Sequence, residues 1–201
     1  MKRFLLVLAT VAIPTFSASA QQTIDFESGS NGAYISSGYS GLNWSNFIFL
    51  NATTFGYPGY ANGRHSGDFV AYNAYGTPAQ MLQATGPFTF NSAWFSSAWN
   101  TNLNINVTGY VGGVATFFQS AVLQPTGGAQ QLVFNWTNLD KVEFATSGGS
   151  SAGYGGAGTH FAIDDVALNQ AVAPEPASLI LLGTGMFAVV GITRRRRNIS
   201  L

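Results

Sequence analysis

Asp25 and Glu27 stand two residues apart in Thr23-Ile24-Asp25-Phe26-Glu27, and Asp164 and Asp165 stand side by side in Phe161-Ala162-Ile163-Asp164-Asp165-Val166. Carboxylates are hard oxygen donors, and Ca²⁺ takes six to eight such oxygens, backbone carbonyls included. If the two segments are neighbouring strands, these four side chains make a candidate calcium site on the rim of the fold. The alternative is that they end strands and solvate the surface. Two histidines, His65 and His160, are the groups suited to proton transfer near neutrality. His160 with Asp164 or Asp165 and a serine would form a nucleophilic triad, but the body of the chain contains no Gly-x-Ser-x-Gly elbow. Neither histidine has a carboxylate at a recognisable metal-ligand spacing. Glycoside hydrolysis needs two facing carboxyl groups with one held as an acid, and nothing in the sequence marks such an acid. The sequence therefore assigns no catalytic residue, and a secreted hydrolase is its weakest functional reading.

Aromatic side chains offer a different chemistry. Tyr34, Tyr39, Tyr57, Tyr60, Tyr72 and Tyr75 crowd the first half of the chain, with Trp44, Trp94, Trp99 and Trp136 spread through it. Exposed aromatic faces stack on sugar rings, and amides such as Asn43, Asn46, Asn62 and Asn73 can bond hydroxyls, so carbohydrate binding is within reach. The tryptophans lie in strand-like segments and are expected in the core. Tyr57 and Tyr60 lie in a Gly/Pro-rich loop, are expected to be exposed, and are the candidate glycan-binding residues. Segment 146–159, with six glycines and three serines, reads as a flexible loop. Its Gly153-Tyr154-Gly155-Gly156 lacks the Lys-Ser/Thr and the helix of a phosphate loop.

These groups must be positioned by strands. Leu103, Ile105 and Val107 alternate with polar residues, the period of a half-buried strand. Less regular patterns of the same kind cover 23–26, 44–50, 69–72, 88–95, 114–123, 131–136, 141–145 and 161–168, separated by turn clusters such as Tyr57-Pro58-Gly59 and Pro125-Thr126-Gly127-Gly128. No convincing amphipathic helix intervenes. Short strands with frequent turns predict an all-β fold, an antiparallel β-sandwich of jelly-roll-like topology, since parallel strands would need crossover helices. In the last strand Phe161 and Ile163 share one parity and Val166 and Leu168 the other. One extra residue restores a core-facing set after such a slip, so a β-bulge is predicted at Asp164-Asp165.

Composition narrows the partners. Between Gln21 and Ala173 only Arg64 and Lys141 are basic, against Asp25, Glu27, Asp68, Asp140, Glu143, Asp164 and Asp165, a net charge of about −5. Nucleic-acid binding depends on Lys and Arg neutralising phosphates and is excluded by this balance. The chain has no cysteine, which rules out disulfides, a thiolate nucleophile and a Cys-ligated metal. The body is long enough to bury a single core without such staples.

The remaining basic residues sit at the two ends. Lys2 and Arg3, an apolar stretch and the small-residue run Ser17-Ala18-Ser19-Ala20 have the order of a secretory signal, with Ala18 and Ala20 at the positions a signal peptidase reads. Residues 1–20 are the expected signal peptide and 21–170 the expected sandwich domain. At the other end Pro174-Glu175-Pro176 precedes an apolar run at 177–193 and the cluster Arg194-Arg195-Arg196-Arg197. As a helix the run spans about 26 Å, the lower limit for a bilayer core, and the arginines orient it with that end in the cytoplasm. This order resembles the PEP-CTERM sorting signal of Gram-negative bacteria, here 171–201, and the strand motifs resemble the galactose-binding-like sandwiches attached to such tails. The resemblance implies an exported, non-enzymatic protein, held transiently at the inner membrane and processed by an exosortase-like enzyme. It further implies a mature form at the cell surface or outside the cell, associated with extracellular polysaccharide and biofilm matrix. A carbohydrate-binding module, with structural calcium as the only candidate cofactor, is the alternative. A permanent single-pass anchor is the other reading of the tail.

Overall fold

The computed structural model describes one compact unit, Ser19–Ala171. Most of the expected signal peptide and all of the sorting motif, apolar run and arginine cluster lie outside the described residues. One sheet joins β1 (Ser19–Ile24), β3 (Phe47–Asn51), β4 (Phe69–Asn73), β6 (Phe88–Ser97), β10 (Gln130–Leu139) and β13 (Phe161–Ala171). The second joins β2 (Leu42–Ser45), β5 (Ala79–Gln83), β8 (Leu103–Val111), β9 (Val114–Leu123) and β11 (Lys141–Ser147). A two-stranded ribbon pairs β7 (Asn100–Thr101) with β12 (Ser150–Ser151). Every pairing is antiparallel, and most connections carry the chain from one sheet to the other, as a jelly roll requires.

The first sheet is ordered β10-β6-β13-β4-β3, with β1 on β13. Strand β13 is its spine. Its first half pairs with β4 through Ala162 and Ile163, and its second half pairs with β1 from Val166 to Ala171. The second sheet is ordered β2-β5-β11-β8-β9. Leu103, Ile105 and Val107 point into the core as their alternation predicts. Between the sheets Phe144 meets Phe47, Phe90, Phe95 and Phe161, all with ring centroids about 6 Å apart. These rings fill the core, and with no cysteine in the chain no disulfide braces it.

A second, smaller apolar cluster lies on the opposite face of the first sheet. Phe161 and Ile163 enter the main core while Ala162 enters the second cluster, with Leu50, Val70 and Trp99. Two one-turn helices cover it, α1 (Ala52–Phe55) and α2 (Pro58–Ala61). Asn51 caps the first, its side chain accepting from the Thr54 amide, and Pro58 opens the second.

The expected strand at 44–50 is two strands in different sheets. Asn46 breaks it with φ of 62°, and its amide nitrogen donates to Thr77 Oγ1 at 2.7 Å and to the Pro78 carbonyl at 3.0 Å. Asparagine tolerates the left-handed region, and here the residue acts as the corner between layers. The strand expected at 23–26 ends at Ile24, before Phe26 turns with φ of 61°. Strand β5 has no forerunner in the sequence reading, because Ala79-Gln80-Met81-Leu82-Gln83 holds no β-branched or aromatic residue, and it forms because Ala79 and Met81 are buried.

Phe144→Ala is expected to lower the unfolding free energy by about 3–5 kcal/mol, whereas exposed Val114 should tolerate alanine within about 0.5 kcal/mol. Urea midpoints of the two variants check this, and equal midpoints would place the core elsewhere.

Candidate functional site

The phase change read from the last strand is a bulge. Between Asp164 and Ala167 the register of β13 against β6 shifts, and Asp165 adopts φ of 43°. Asp164 is fully buried there. Its Oδ2 accepts from the His65 amide at 2.7 Å and the Ser66 amide at 3.0 Å, and its Oδ1 from the Asp165 amide at 2.7 Å. Asp165 faces the same loop, with Oδ1 accepting from Ser66 Oγ at 2.8 Å and Oδ2 lying 2.6 Å from His65 Nδ1. The His65 ring stacks on Trp94 with centroids 3.8 Å apart. Two carboxylates thus fasten residues 65 and 66 to the centre of the sheet. Nearby, Glu27 Oε1 accepts from the Asp68 and Phe69 amides at 2.9 and 2.7 Å and fixes the start of β4. An added Cβ at Gly67, which has φ of 50°, would meet that carboxylate at 2.2 Å.

The chain leaving this clamp builds a tyrosine surface on the outer face of the first sheet. Tyr34 bridges Ile48, Ile48 pairs with Tyr72, and Tyr72 pairs with Ala162, so the three side chains of Tyr34, Ile48 and Tyr72 form a row. Tyr75 follows β4 in a tight turn with φ of 56°, and Tyr34 donates to its hydroxyl at 3.4 Å. A tyrosine in the left-handed region costs about 1–3 kcal/mol. The turn imposes it: the Ala74 amide donates to the Asn46 carbonyl, Thr77 N to the Ala74 carbonyl, and Thr159 Oγ1 to the Gly76 carbonyl. Tyr75 is 80% exposed and Tyr34 54%. From Tyr72 the aromatic contacts run on through Tyr60 (5.4 Å), Trp99 (5.3 Å) and Tyr57 (4.9 Å) to Phe55 (4.9 Å). Phe55 and Tyr57 are exposed, so the surface has an open end on either side of a buried middle.

The structure sorts the sequence candidates. Tyr57 is 37% exposed, as expected. Tyr60 is only 3% exposed, because α2 turns its ring inward onto Trp99 and Tyr72, and burial raises its phenol well above the usual range. Tyr60 is therefore a packing residue under the surface. Asn43, Asn46, Asn62 and Asn73 spend their amides on backbone carbonyls of Gln83, Ala74, Pro125 and Thr77. Trp44, Trp99 and Trp136 are buried as expected, and Trp94 is half-buried under His65. The glycine-rich segment 146–159 is anchored: β12 pairs with β7, and a Cβ on Gly156 would strike the Trp99 ring at 2.6 Å.

Strands β1 and β13 are neighbours, as the calcium reading supposed, with Ile24 opposite Val166. Asp25 Oδ1 accepts from the Glu27 amide, while Glu27, Asp164 and Asp165 bind the protein donors already named. No cluster of three or more His, Asp or Glu side chains suited to a metal occurs among the described residues. His160 lies beside Tyr72 at 6.2 Å, and desolvation lowers its pKa. Its buried Nδ1 has no partner among the described residues, and Asp164 and Asp165 are bonded to the 65–66 loop instead. The sequence placed Tyr34 and Tyr75 among the crowded tyrosines without marking them as an exposed pair. The run Asn73-Ala74-Tyr75-Gly76 signals a turn there, but not which ring it turns outward.

The profile of the PEP-CTERM protein-sorting motif matches residues 172–197. The chain carries this sorting signal. The match begins directly after the described body, includes Pro174, Glu175 and Pro176, and ends at Arg197. It implies exosortase-sorted export of a protein first anchored in the membrane and then processed. No curated protein sequence matches the chain. Among solved structures, the chain is similar to TmCBM61 in complex with β-1,4-galactotriose, at 12% identity and a TM-score of 0.33 over 69% of this chain and 97% of that one. It is similar to a tyrosine variant of a family 29 carbohydrate-binding module, at 9% identity and a TM-score of 0.37 over 79% and 97%. The third, at 11% identity and a TM-score of 0.38, is the M60 catalytic domain with two CBM51 domains from Clostridium perfringens ZmpB, with 76% of this chain and 15% of that one covered.

Burial pushes the Asp164 carboxyl up to about 6, with the Ser66, His65 and Asp165 amides opposing the rise and the Asp165 charge adding to it. The unfolded chain titrates near 3.8, so between pH 4 and 6 the folded state holds this proton more tightly. The group therefore makes stability fall as pH rises through that window, by at most about 3 kcal/mol, with no further change from it above about 6. Asp164→Asn is expected to flatten the pH 4–6 segment of the denaturation profile; an unchanged slope would assign it to other groups.

Proposed function

We propose that the chain is an exported, non-catalytic protein of the extracellular polysaccharide or biofilm matrix, which holds a neutral polysaccharide against its tyrosine surface. The observation that carries this reading is Tyr75, kept in a strained backbone conformation with its ring in solvent beside Tyr34. Strain of this kind persists where the surroundings impose it and concentrates at binding sites. Aromatic rings in solvent, with hydroxyls at their edges, suit sugar rings, whose faces are apolar and whose rims are polar. The ligand is neutral because the body has no free cationic surface to attract an acidic one. Arg64 bonds the Ala61 and Gly67 carbonyls and pairs with Asp68, while Lys141 lies over the Tyr110 ring in the other sheet.

Delivery follows from the tail. An exosortase-like enzyme removes it after a signal peptidase has cut behind Ala20, leaving a mature strand β1 that starts at Gln21 and keeps its pairing with Val166 to Asn169 of β13. The calcium-assisted version of this reading would draw on Asp25, Glu27, Asp164 and Asp165. Their engagement by protein donors supports a fold that stands without metal, so EDTA is expected to leave the thermal midpoint unchanged. A fall of several degrees would give calcium a structural role.

Two measurements bear on the rest. Tyr75→Ala and Tyr34→Ala should each weaken binding to a neutral oligosaccharide about tenfold, or about 1.4 kcal/mol, without lowering the thermal midpoint; undiminished binding by the double variant would move the site elsewhere. Mass spectrometry of the protein released from cells should find a form without Arg194 to Arg197. Full retention of those arginines would indicate a permanent anchor.

A further inference from the structure

Strand β9 is an edge that nothing among the described residues covers. It pairs with β8 and no other strand, so one side of its backbone presents unpaired N–H and C=O groups. Its ten residues, Val-Ala-Thr-Phe-Phe-Gln-Ser-Ala-Val-Leu, include no charge, proline or glycine, the features that usually blunt an edge. Its only irregularity falls at Thr116, which leaves Phe117 to Leu123 in unbroken register with β8. On the outer face of that stretch Phe118 is 71% exposed and Val122 49%, with Ser120 between them.

The other edges of the two large sheets are protected. Strand β10 is bulged twice, at Asn135 (φ 52°) and Asn138 (φ 64°). Strand β3 is covered by the preceding segment: the Gly32 and Ile35 amides bond the Phe49 and Phe47 carbonyls, and the Phe49 and Asn51 amides bond the Ala33 carbonyl and the Asn31 side chain. Strand β2 has four residues, and its Leu42 carbonyl is taken by the Gly38 amide. Strand β1 keeps only Gln21 to Ile24 once the chain is cut behind Ala20.

We infer that β9 is a self-association edge, on which β9 of a second copy pairs antiparallel about a two-fold axis at Ser120. Facing residues in an antiparallel pair must share a side of the sheet, so a symmetric register centres on a residue and not between two. Centred on Ser120, it sets Phe118 against Val122 of the second copy, Val122 against Phe118, and Ser120 against Ser120. Every large apolar side chain on the outer face of the regular stretch then gains an apolar partner. The body carries about −5, and an uncharged strand lets two such bodies meet without like charges opposite one another. With one open sheet edge among the described residues the contact is isologous and closes at two copies, giving a continuous ten-stranded sheet from two five-stranded ones.

The absence of cysteine makes the inference directly testable. Opposed Cα atoms in an antiparallel pair lie about 4.5–5.5 Å apart, within reach of a disulfide. The full chain carrying Ser120→Cys should form a disulfide-linked dimer on mild oxidation. Asn104→Cys, on the same face but one strand inward, should stay monomeric on a non-reducing gel. Adding Phe118→Lys to Ser120→Cys should reduce the dimer at least tenfold at an unchanged thermal midpoint. Cross-linking through Asn104→Cys as strong as through Ser120→Cys would overturn the inference, as would a Ser120→Cys chain that stays monomeric or a dimer indifferent to Phe118→Lys.

Discussion

Asp164 places a carboxylate in the interior of the sheet, where three backbone amides take the place of water. The site is the one point at which β13 changes neighbours, from β4 to β1. An unpaired buried carboxylate would cost several kcal/mol, so removing either the loop or the bulge exposes the full penalty of the other. The loop held this way joins α2 to β4. Tyr60 lies before it and Tyr72 and Tyr75 after it, so the aromatic surface inherits its geometry from the bulge. Glu27 secures the same connection from the far side by holding the first amides of β4.

Strain and burial are divided between two places. At the bulge Asp165 occupies a left-handed conformation and its side chain is satisfied within the protein by Ser66 and His65. At Tyr75 the same backbone conformation leads to a side chain in solvent, bonded only to another exposed tyrosine. The first arrangement holds the fold together. The second spends conformational energy to present a ring outward, and it is this feature on which the proposed ligand surface rests. The tail adds a destination to this body, and the scarcity of lysine and arginine between Gln21 and Ala173 fits the proposed neutral ligand and argues against nucleic acid.

Much of this was legible in the sequence where one physical rule acted alone. The strict alternation at Leu103, Ile105 and Val107 fixed a strand face, and the change of parity between Ile163 and Val166 located the bulge because only an inserted residue reconciles the two. The ordered tail was legible for the same reason. What escaped depended on contacts distant in the chain. Asn46 turns a strand-like run between sheets because of Thr77 and Pro78, some thirty residues away. Tyr60 is buried because Trp99 and Tyr72 await it, and the glycine-rich segment is held by Trp99 and β7, neither of which local composition reveals. Tyr34 and Tyr75 come together through the edge of β3, which no local pattern announces.

On the proposed function the outward tyrosines form the ligand surface. Titrating the ring-labelled protein with a neutral oligosaccharide and following tyrosine and tryptophan NMR signals tests it most directly. Shifts are expected at Tyr34, Tyr75 and Tyr57, with a smaller one at Tyr72 and none at Trp44 or Trp136. Shifts confined to Tyr110 and the outer face of the second sheet, or no saturable shift with any neutral sugar, would contradict it.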